Sequence, residues 1–212
     1  MKITKISESK KGSNTFNLYI DGSFALHISG ETLFKLKLKE NLELTEAGYE
    51  NLRAVEDAQK ALDNAWALVS IRQRSKEELK EKLEKKGYAP LSVQNAVEKL
   101  HGMNYIDDAK FAKSWVESRI RQGKGPFIIR FELKEKGISP EIIADVMNYD
   151  EDTLKLEFDA LKTLALKKLE KLKTAPPREQ AGKLMGYLAS RGFTPEQIEN
   201  ALRDIKKDIE IP

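Results

Sequence analysis

Residues 129–143 read IRFELKEKGISPEII, and the same pattern occurs twice more in the chain. Residues 79–93 read LKEKLEKKGYAPLSV, and residues 184–198 read LMGYLASRGFTPEQI. In each stretch a base precedes a glycine and a proline follows it three positions later, with apolar residues eight and four positions before the glycine and six after it. A pattern that recurs at intervals of about 50 residues indicates an internal repeat.

The repeated stretch predicts two helices joined by a tight turn. A glycine in the left-handed conformation ends the first helix, and the preceding base is favoured at the negative end of the helix dipole. The proline then occupies the first turn of the next helix, where its missing N–H costs no hydrogen bond. Ser139 and Thr194 are placed to cap that helix with their hydroxyl groups. Ala89 has no side-chain oxygen, so we expect the N-terminus of the helix after it to be less stable. An amphipathic helix precedes each pair, which gives three helices per repeat.

Ahead of the first repeated turn, the spacing of the apolar residues changes along the chain. From Leu52 to Val69 apolar residues recur at helical spacing behind a predicted N-cap at Thr45. Upstream, apolar and polar residues alternate on both sides of an Asp21-Gly22 turn, which predicts a β-hairpin. The alternating apolar positions are Phe16, Leu18, Ile20, Phe24, Leu26 and Ile28. Because two strands alone are marginal in water, we expect a third strand around Ile3 and Ile6.

These patterns predict a mainly α protein: an elongated array of three tandem three-helix repeats with a small N-terminal β-sheet (hairpin) module. The predicted boundaries are 1–45 for the small β module and 46–103, 104–149 and 150–212 for repeats 1, 2 and 3.

Composition excludes most enzyme chemistry. The 212 residues contain no cysteine and two histidines, His27 and His101, neither of which lies in a triad or at metal-ligand spacing. We therefore predict no catalytic residue, no metal and no cofactor. Apolar runs fall short of the roughly 20 residues of a bilayer span, and the amino terminus lacks the apolar region of a secretory signal, so we expect a cytoplasmic protein.

Three further motifs have structural interpretations. Asp107-Asp108 stands before an apolar helix and is expected to supply its N-cap and first-turn acid rather than a metal site. The run 123–126, GKGP, lacks the spacing of a phosphate-binding loop and is expected to be a turn between helices. Trp66 and Trp115 lie on apolar helix faces and are expected to pack in the core.

Positive charge is concentrated in the middle of the chain. Net charge is +3, and residues 58–149 hold 17 bases against 13 acids. Between positions 119 and 136, six bases accompany Glu132 and Glu135, and the predicted turn would bring them together in a basic patch. The alternative is a set of solvated helix faces with i,i+4 ion pairs such as Glu81 with Lys85.

The stretch from about Ala61 to Met147 resembles the RecX family, the regulators of the RecA recombinase. Residues 72–79 (RQRSKEEL), 105–112 (YIDDAKFA) and 132–138 (ELKEKGI) carry this resemblance, together with the Trp115-Val116 pair. The resemblance implies stacked three-helix repeats lying in the helical groove of the RecA filament. It also implies reduced filament growth, ATP hydrolysis, strand exchange and coprotease activity, with DNA binding in some members.

The basic residues inside the matching motifs are the candidates for binding RecA or DNA. They are Arg72, Arg74, Lys82, Lys85, Lys86, Arg119, Arg121, Lys124, Arg130, Lys134 and Lys136.

Two functions are therefore open. The first is a non-enzymatic, monomeric regulator that binds the RecA filament and that would also bind single- and double-stranded DNA without sequence specificity. The second is a DNA-binding helical-repeat regulator of helix-turn-helix or architectural type, acting on DNA directly. Against the second, the nearest approach to a base-reading run is Val93-Gln94-Asn95-Ala96.

Overall fold

The computed structural model describes residues 1–10, 13–174 and 176–209. These residues form three strands and ten helices, and the chain divides into two compact units, Met1–Ile106 and Asp107–Pro212. None of the helices in the described ranges is both long enough and apolar enough to cross a membrane. The predicted class, helical repeats with a small N-terminal sheet, is confirmed.

The first unit begins with an antiparallel sheet in the order β1-β2-β3, which confirms the hairpin and the third strand. The elements are β1 (Ile3–Glu8), β2 (Thr15–Ile20), β3 (Ser23–Ser29) and a short helix α1 (Gly30–Lys35). Ile3, Leu18 and Ile28 are buried in the core of this module, together with Leu52 of the helix that follows.

Phe24 departs from the predicted alternation. Leu18 pairs with Leu26 but Tyr19 pairs with Phe24, so Ala25 is an extra residue that forms a bulge in β3. The bulge places Phe24 on the other face of the sheet, where it is 51% exposed and its ring packs 5.9 Å from that of Tyr19. The strand pattern alone did not reveal this reversal.

The remainder of the first unit is repeat 1. It contains α2 (Glu46–Ile71), α3 (Lys76–Glu84) and α4 (Pro90–Gly102). The hydroxyl of Thr45 accepts a hydrogen bond from the N–H of Gly48, so α2 starts where the sequence predicted. Leu62, Leu79 and Leu83 are buried in the core of the bundle.

The second unit contains repeats 2 and 3. Their helices are α5 (Asp108–Arg121), α6 (Pro126–Glu135), α7 (Pro140–Val146), α8 (Glu151–Leu172), α9 (Pro177–Ser190) and α10 (Pro195–Ile209). Each repeat has its own buried cluster, which includes Ile129 and Leu133 in repeat 2 and Leu184 and Leu188 in repeat 3. Leu154, near the start of α8, is exposed although Leu161 and Ala165 of the same helix are buried.

The repeated turns have the predicted geometry. Gly87, Gly137 and Gly192 adopt φ values of +86°, +70° and +89°, which glycine tolerates far better than other residues. The hydroxyl of Ser139 accepts from the N–H of Ile142, whereas Ala89 provides no side-chain cap, as predicted.

Repeats 2 and 3 meet through backbone atoms. The N–H of Gly125 donates to the carbonyl of Arg191 (2.8 Å), and the N–H of Phe127 donates to the carbonyl of Gly192 (3.1 Å). The carbonyls of the two residues that follow α9 therefore satisfy N–H groups at the start of α6 that no side chain caps. A Cβ at Gly125 would lie 2.3 Å from the carbonyl carbon of Gly192, so only glycine permits this approach.

We predict that Gly125→Ala lowers the free energy of unfolding by about 2 kcal/mol or more, because the added methyl forces the two backbones apart. Gly182→Ala is the matched control: it lies inside α9, and its Cβ would meet nothing within 4 Å. Helix propensity predicts that this control is stabilised by up to ~1 kcal/mol. Urea unfolding of both variants measures the two effects, and equal stability of Gly125→Ala and the native chain would contradict the close contact.

Candidate binding surface

Two arginines of repeat 1 are held by intramolecular contacts. Arg74 is 8% exposed; its Nε donates to the carbonyl of Leu68 (3.0 Å) and its Nη1 to Oε1 of Glu78 (2.7 Å). Arg72 pairs with the same carboxylate. Both guanidinium groups therefore fix the turn between α2 and α3.

The lysines of repeat 1 differ in their contacts. Lys85 forms an exposed ion pair with Glu81 (3.5 Å), as the alternative interpretation of the sequence expected. Lys86 donates to the side-chain oxygen of Asn64. Lys82 is half-buried and forms no ion pair with another described residue.

A cluster around Trp115 joins α5 to α6. We define the Trp115 cluster as Trp115, Arg119, Glu132 and Lys136. The guanidinium of Arg119 lies 3.9 Å from the ring centre of Trp115 and the ammonium of Lys136 lies 4.3 Å from it. The carboxylate of Glu132 accepts from Nε1 of Trp115 (3.0 Å) and from Nε of Arg119 (2.5 Å). Half-buried Trp115 packs against the core of repeat 2, as expected. Two of the six bases between positions 119 and 136, Arg119 and Lys136, contact its ring.

The other four bases of this stretch lie outside the Trp115 cluster. Arg121 pairs with Glu117 one turn earlier on α5 (3.3 Å). Lys124, Arg130 and Lys134 form no ion pair within the described part of the chain. The structure therefore divides the six bases between internal contacts and solvent.

The outer side of α6 combines two of these cations with two aromatic rings. We call Phe127, Arg130, Phe131 and Lys134 the α6 solvent face, since their i, i+3, i+4 and i+7 spacing puts them on one side of the helix. Phe127 is 75% exposed and Phe131 is 59% exposed, and both cations are also exposed. Large apolar side chains exposed together on one face are typical of an interaction site.

The corresponding helices of the other repeats carry different residues at these positions. Counted back from the glycine of each turn, the four positions are 10, 7, 6 and 3 residues before it. The equivalent residues on α3 are Glu77, Lys80, Glu81 and Glu84, and those on α9 are Gly182, Met185, Gly186 and Ala189. The same helix face is thus mainly acidic in repeat 1, aromatic and cationic in repeat 2, and small or apolar in repeat 3.

The other sequence motifs have structural roles. The carboxylate of Asp107 accepts from the N–H of Lys110 (2.9 Å), which confirms it as the N-cap of α5. No group of three or more potential metal-ligating side chains occurs in the described ranges. Residues 123–125 form the predicted turn between α5 and α6, and Pro126 is the first residue of α6. Nδ1 of His101 lies 3.1 Å from the carbonyl of Ile106.

A buried carboxyl group lies in repeat 3, at a position that the sequence did not reveal. Glu157 of α8 is 5% exposed, and its Oε2 accepts from Nε2 of Gln197 (2.7 Å). Its Oε1 is buried and has no hydrogen-bond partner among the described residues. Burial raises the pKa of Glu157 to about 7. Burial also raises the pKa of Tyr149, with a smaller contribution from the negative charge of Glu157.

Comparisons with known proteins identify similar chains along the whole length. Family profiles match the RecX N-terminal domain at residues 1–45 and the first, second and third RecX three-helix domains at residues 61–100, 107–147 and 156–202. Regulatory protein RecX of Listeria monocytogenes serovar 1/2a is 31% identical over 212 residues, which cover all of this chain and 78% of that protein. Regulatory protein RecX of Bacillus velezensis is 32% identical over 206 residues, which cover 94% of this chain and 76% of that protein.

Solved structures also match this fold. A crystal structure of regulatory protein RecX aligns with a TM-score of 0.73 at 29% identity, covering 93% of this chain and 97% of the other. RecX from Lactobacillus salivarius aligns with a TM-score of 0.64 at 25% identity, covering 72% of this chain and 98% of the other.

We predict that Glu157→Gln removes a pH dependence of stability. The pKa of Glu157 is raised from 4.5 to about 7 in the folded chain, so the bound proton stabilises the fold fully below pH 4.5, and this stabilisation is lost as the pH rises through 7. Each pKa unit corresponds to ~1.4 kcal/mol, so the loss reaches about 3 kcal/mol. Urea unfolding between pH 4.5 and 8 should show this decline in the native chain but a weaker one in Glu157→Gln.

Glu170→Gln provides the control for this measurement, because Glu170 lies on the same helix with an exposed side chain. It should keep the pH dependence of the native chain. The same decline in Glu157→Gln as in the native chain would contradict the raised pKa.

Proposed function

Because the chain belongs to the RecX family, we propose that it is a non-enzymatic regulator that binds the filament of a RecA recombinase on DNA. Binding of this kind inhibits filament growth and lowers ATP hydrolysis, strand exchange and coprotease activity. The observation that supports the proposal most strongly is the similarity to RecX regulatory proteins over the entire chain.

The α6 solvent face is the surface that we assign to this binding. Arg130 and Lys134 have no carboxylate partner within the described ranges, so contact with an acidic protein surface or a phosphate costs no internal ion pair. Phe127 and Phe131 add apolar area that binding would remove from water. Aromatic and arginine side chains are also the residues that dominate many protein interfaces.

The contacts of the remaining candidate bases decide which role we assign to each of them. Lys82, Lys85, Lys124 and Arg121 are exposed or half-buried, and each would add positive charge to the surface of its own repeat. The bases whose contacts hold helices together are assigned a positioning role. They are Arg72, Arg74, Lys86, Arg119 and Lys136.

The second function left open by the sequence was a DNA-binding helical-repeat regulator of helix-turn-helix or architectural type, and its helix-turn-helix form, which reads base edges, receives less support. Val93 and Ala96 of the nearest base-reading run are buried in repeat 1. The amide of Gln94 donates to Glu98 (2.8 Å) on the same helix. The outward side of this run therefore offers few groups for base edges.

We predict that Arg130→Glu/Lys134→Glu weakens inhibition of the recombinase. Reversing two charges on a contacting face should raise the protein concentration for half-inhibition of DNA-dependent ATP hydrolysis by about tenfold. Hydrolysis by a RecA recombinase on single-stranded DNA, with filament assembly followed in parallel, measures this effect.

Lys80→Glu is the matched control, since Lys80 occupies on α3 the position that Arg130 occupies on α6. It should change half-inhibition by less than about twofold. Native inhibition by the double variant would overturn the assignment to α6, and no effect of the native chain on the recombinase would overturn the function itself.

A further inference from the structure

We propose that the α6 solvent face is a stacking platform for single-stranded nucleic acid, on which Phe127 and Phe131 contact bases while Arg130 and Lys134 contact phosphates. The inference deepens the proposed function and rests on it, because a recombinase filament on single-stranded DNA supplies such a strand. The four side chains, their exposure and the absence of the two aromatic rings from the equivalent positions of the other repeats support it.

The two rings are not needed by the fold of repeat 2. Ile129 and Leu133, on the opposite side of α6, are fully buried and supply its core contacts. The ring positions are occupied by Glu77 and Glu81 on α3, so this position in a repeat accepts charge. Exposed phenyl rings that the fold does not require are best explained by contact with a partner.

The spacing of the face suits a chain of bases. Phe127 and Phe131 are four residues apart, which places their backbones about 6 Å apart along the helix axis. Every base has an aromatic face, so stacking on protein rings needs no particular sequence. A duplex keeps these base faces covered by its own stacking, whereas a single strand can turn them outward.

The charges around the rings complement a phosphate backbone. Arg130 and Lys134 lie beside the two rings, and Lys124 precedes the helix. Glu132, the nearest acid in sequence to both rings, is engaged by Trp115 and Arg119 on another side of α6. Glu135 lies at the edge of the face, where its carboxylate would repel the phosphates of a bound strand. The face is therefore net positive, which favours nucleic acid over a basic or neutral partner.

The test uses the full chain without a recombinase and measures fluorescence anisotropy of labelled oligothymidylate about 20 nucleotides long, enough to span a typical single-strand site. The native chain should bind this strand more tightly than a duplex or an abasic strand of equal length. Phe127→Ala/Phe131→Ala should weaken binding to oligothymidylate by at least about tenfold and remove the preference over the abasic strand.

Three other variants distinguish base stacking from apolar contact, from phosphate contact and from the loss of an exposed ring elsewhere on the chain. Phe127→Leu/Phe131→Leu keeps apolar area without aromatic faces and should weaken binding as the alanine variant does. Arg130→Ala/Lys134→Ala should lower the slope of log affinity against log salt by about 1.4, at ~0.7 for each phosphate that is no longer neutralised. Phe34→Ala removes a ring that is 86% exposed in the β module and should bind as the native chain does. Thermal melting verifies that each variant is folded.

Three results would overturn the inference: equal binding to thymidylate and abasic strands, native affinity in the leucine variant, or no binding at low salt. Loss of recombinase inhibition in the alanine variant, with unchanged binding to oligothymidylate, would show that the face docks on protein instead. That outcome would reject the stacking platform without contradicting the proposed function. Absence of inhibition by the native chain, with the predicted oligonucleotide binding intact, would reject the proposed function alone.

Discussion

A left-handed glycine closes the second helix of every repeat, and the other features of the repeat depend on it. With φ between +70° and +89° at the three glycines, the chain leaves one helix and enters the next through the same turn each time. The residues eight and four positions before the glycine are consequently buried in all three repeats. The residues on the opposite side face solvent each time, so their identity can change without disturbing a core. Repeat 2 has two aromatic rings and two cations there, whereas repeat 1 has Lys80 among three glutamates and repeat 3 has small or apolar residues.

Most of the fold could be predicted because its signals are local. Caps such as Thr45 and Asp107, the glycine turns and the Asp21-Gly22 hairpin each depend on a few neighbouring residues. The exceptions depend on tertiary contacts or on small irregularities. The bulge at Ala25 reverses Phe24, and burial of Glu157 requires Gln197 from a helix 40 residues later. Neither feature changes the spacing of apolar residues along the sequence.

The candidate surface was predictable only in part. Counting charges located the basic stretch of repeat 2, but it could not separate bases that bind Trp115 from those that face solvent, because that distinction requires α5 packed on α6. Phe127 and Phe131 were missed because apolar residues on an amphipathic helix are normally assigned to the core. Comparison of the four solvent positions between aligned repeats would have found both rings from sequence alone. Internal repeats thus provide a comparison within a single chain.

We propose that the partner contacts the outer side of α6 and not the equivalent sides of α3 and α9. This contact can be measured by hydroxyl-radical footprinting of the full chain, alone and bound to a recombinase filament on single-stranded DNA. The exposed side chains that report on it are Phe127, Phe131, Met185 and Phe34. Oxidation of Phe127 and Phe131 should fall several-fold on binding, while Met185 on α9 and Phe34 in the β module keep their rates. Unchanged oxidation of both phenylalanines in the bound state would contradict the claim.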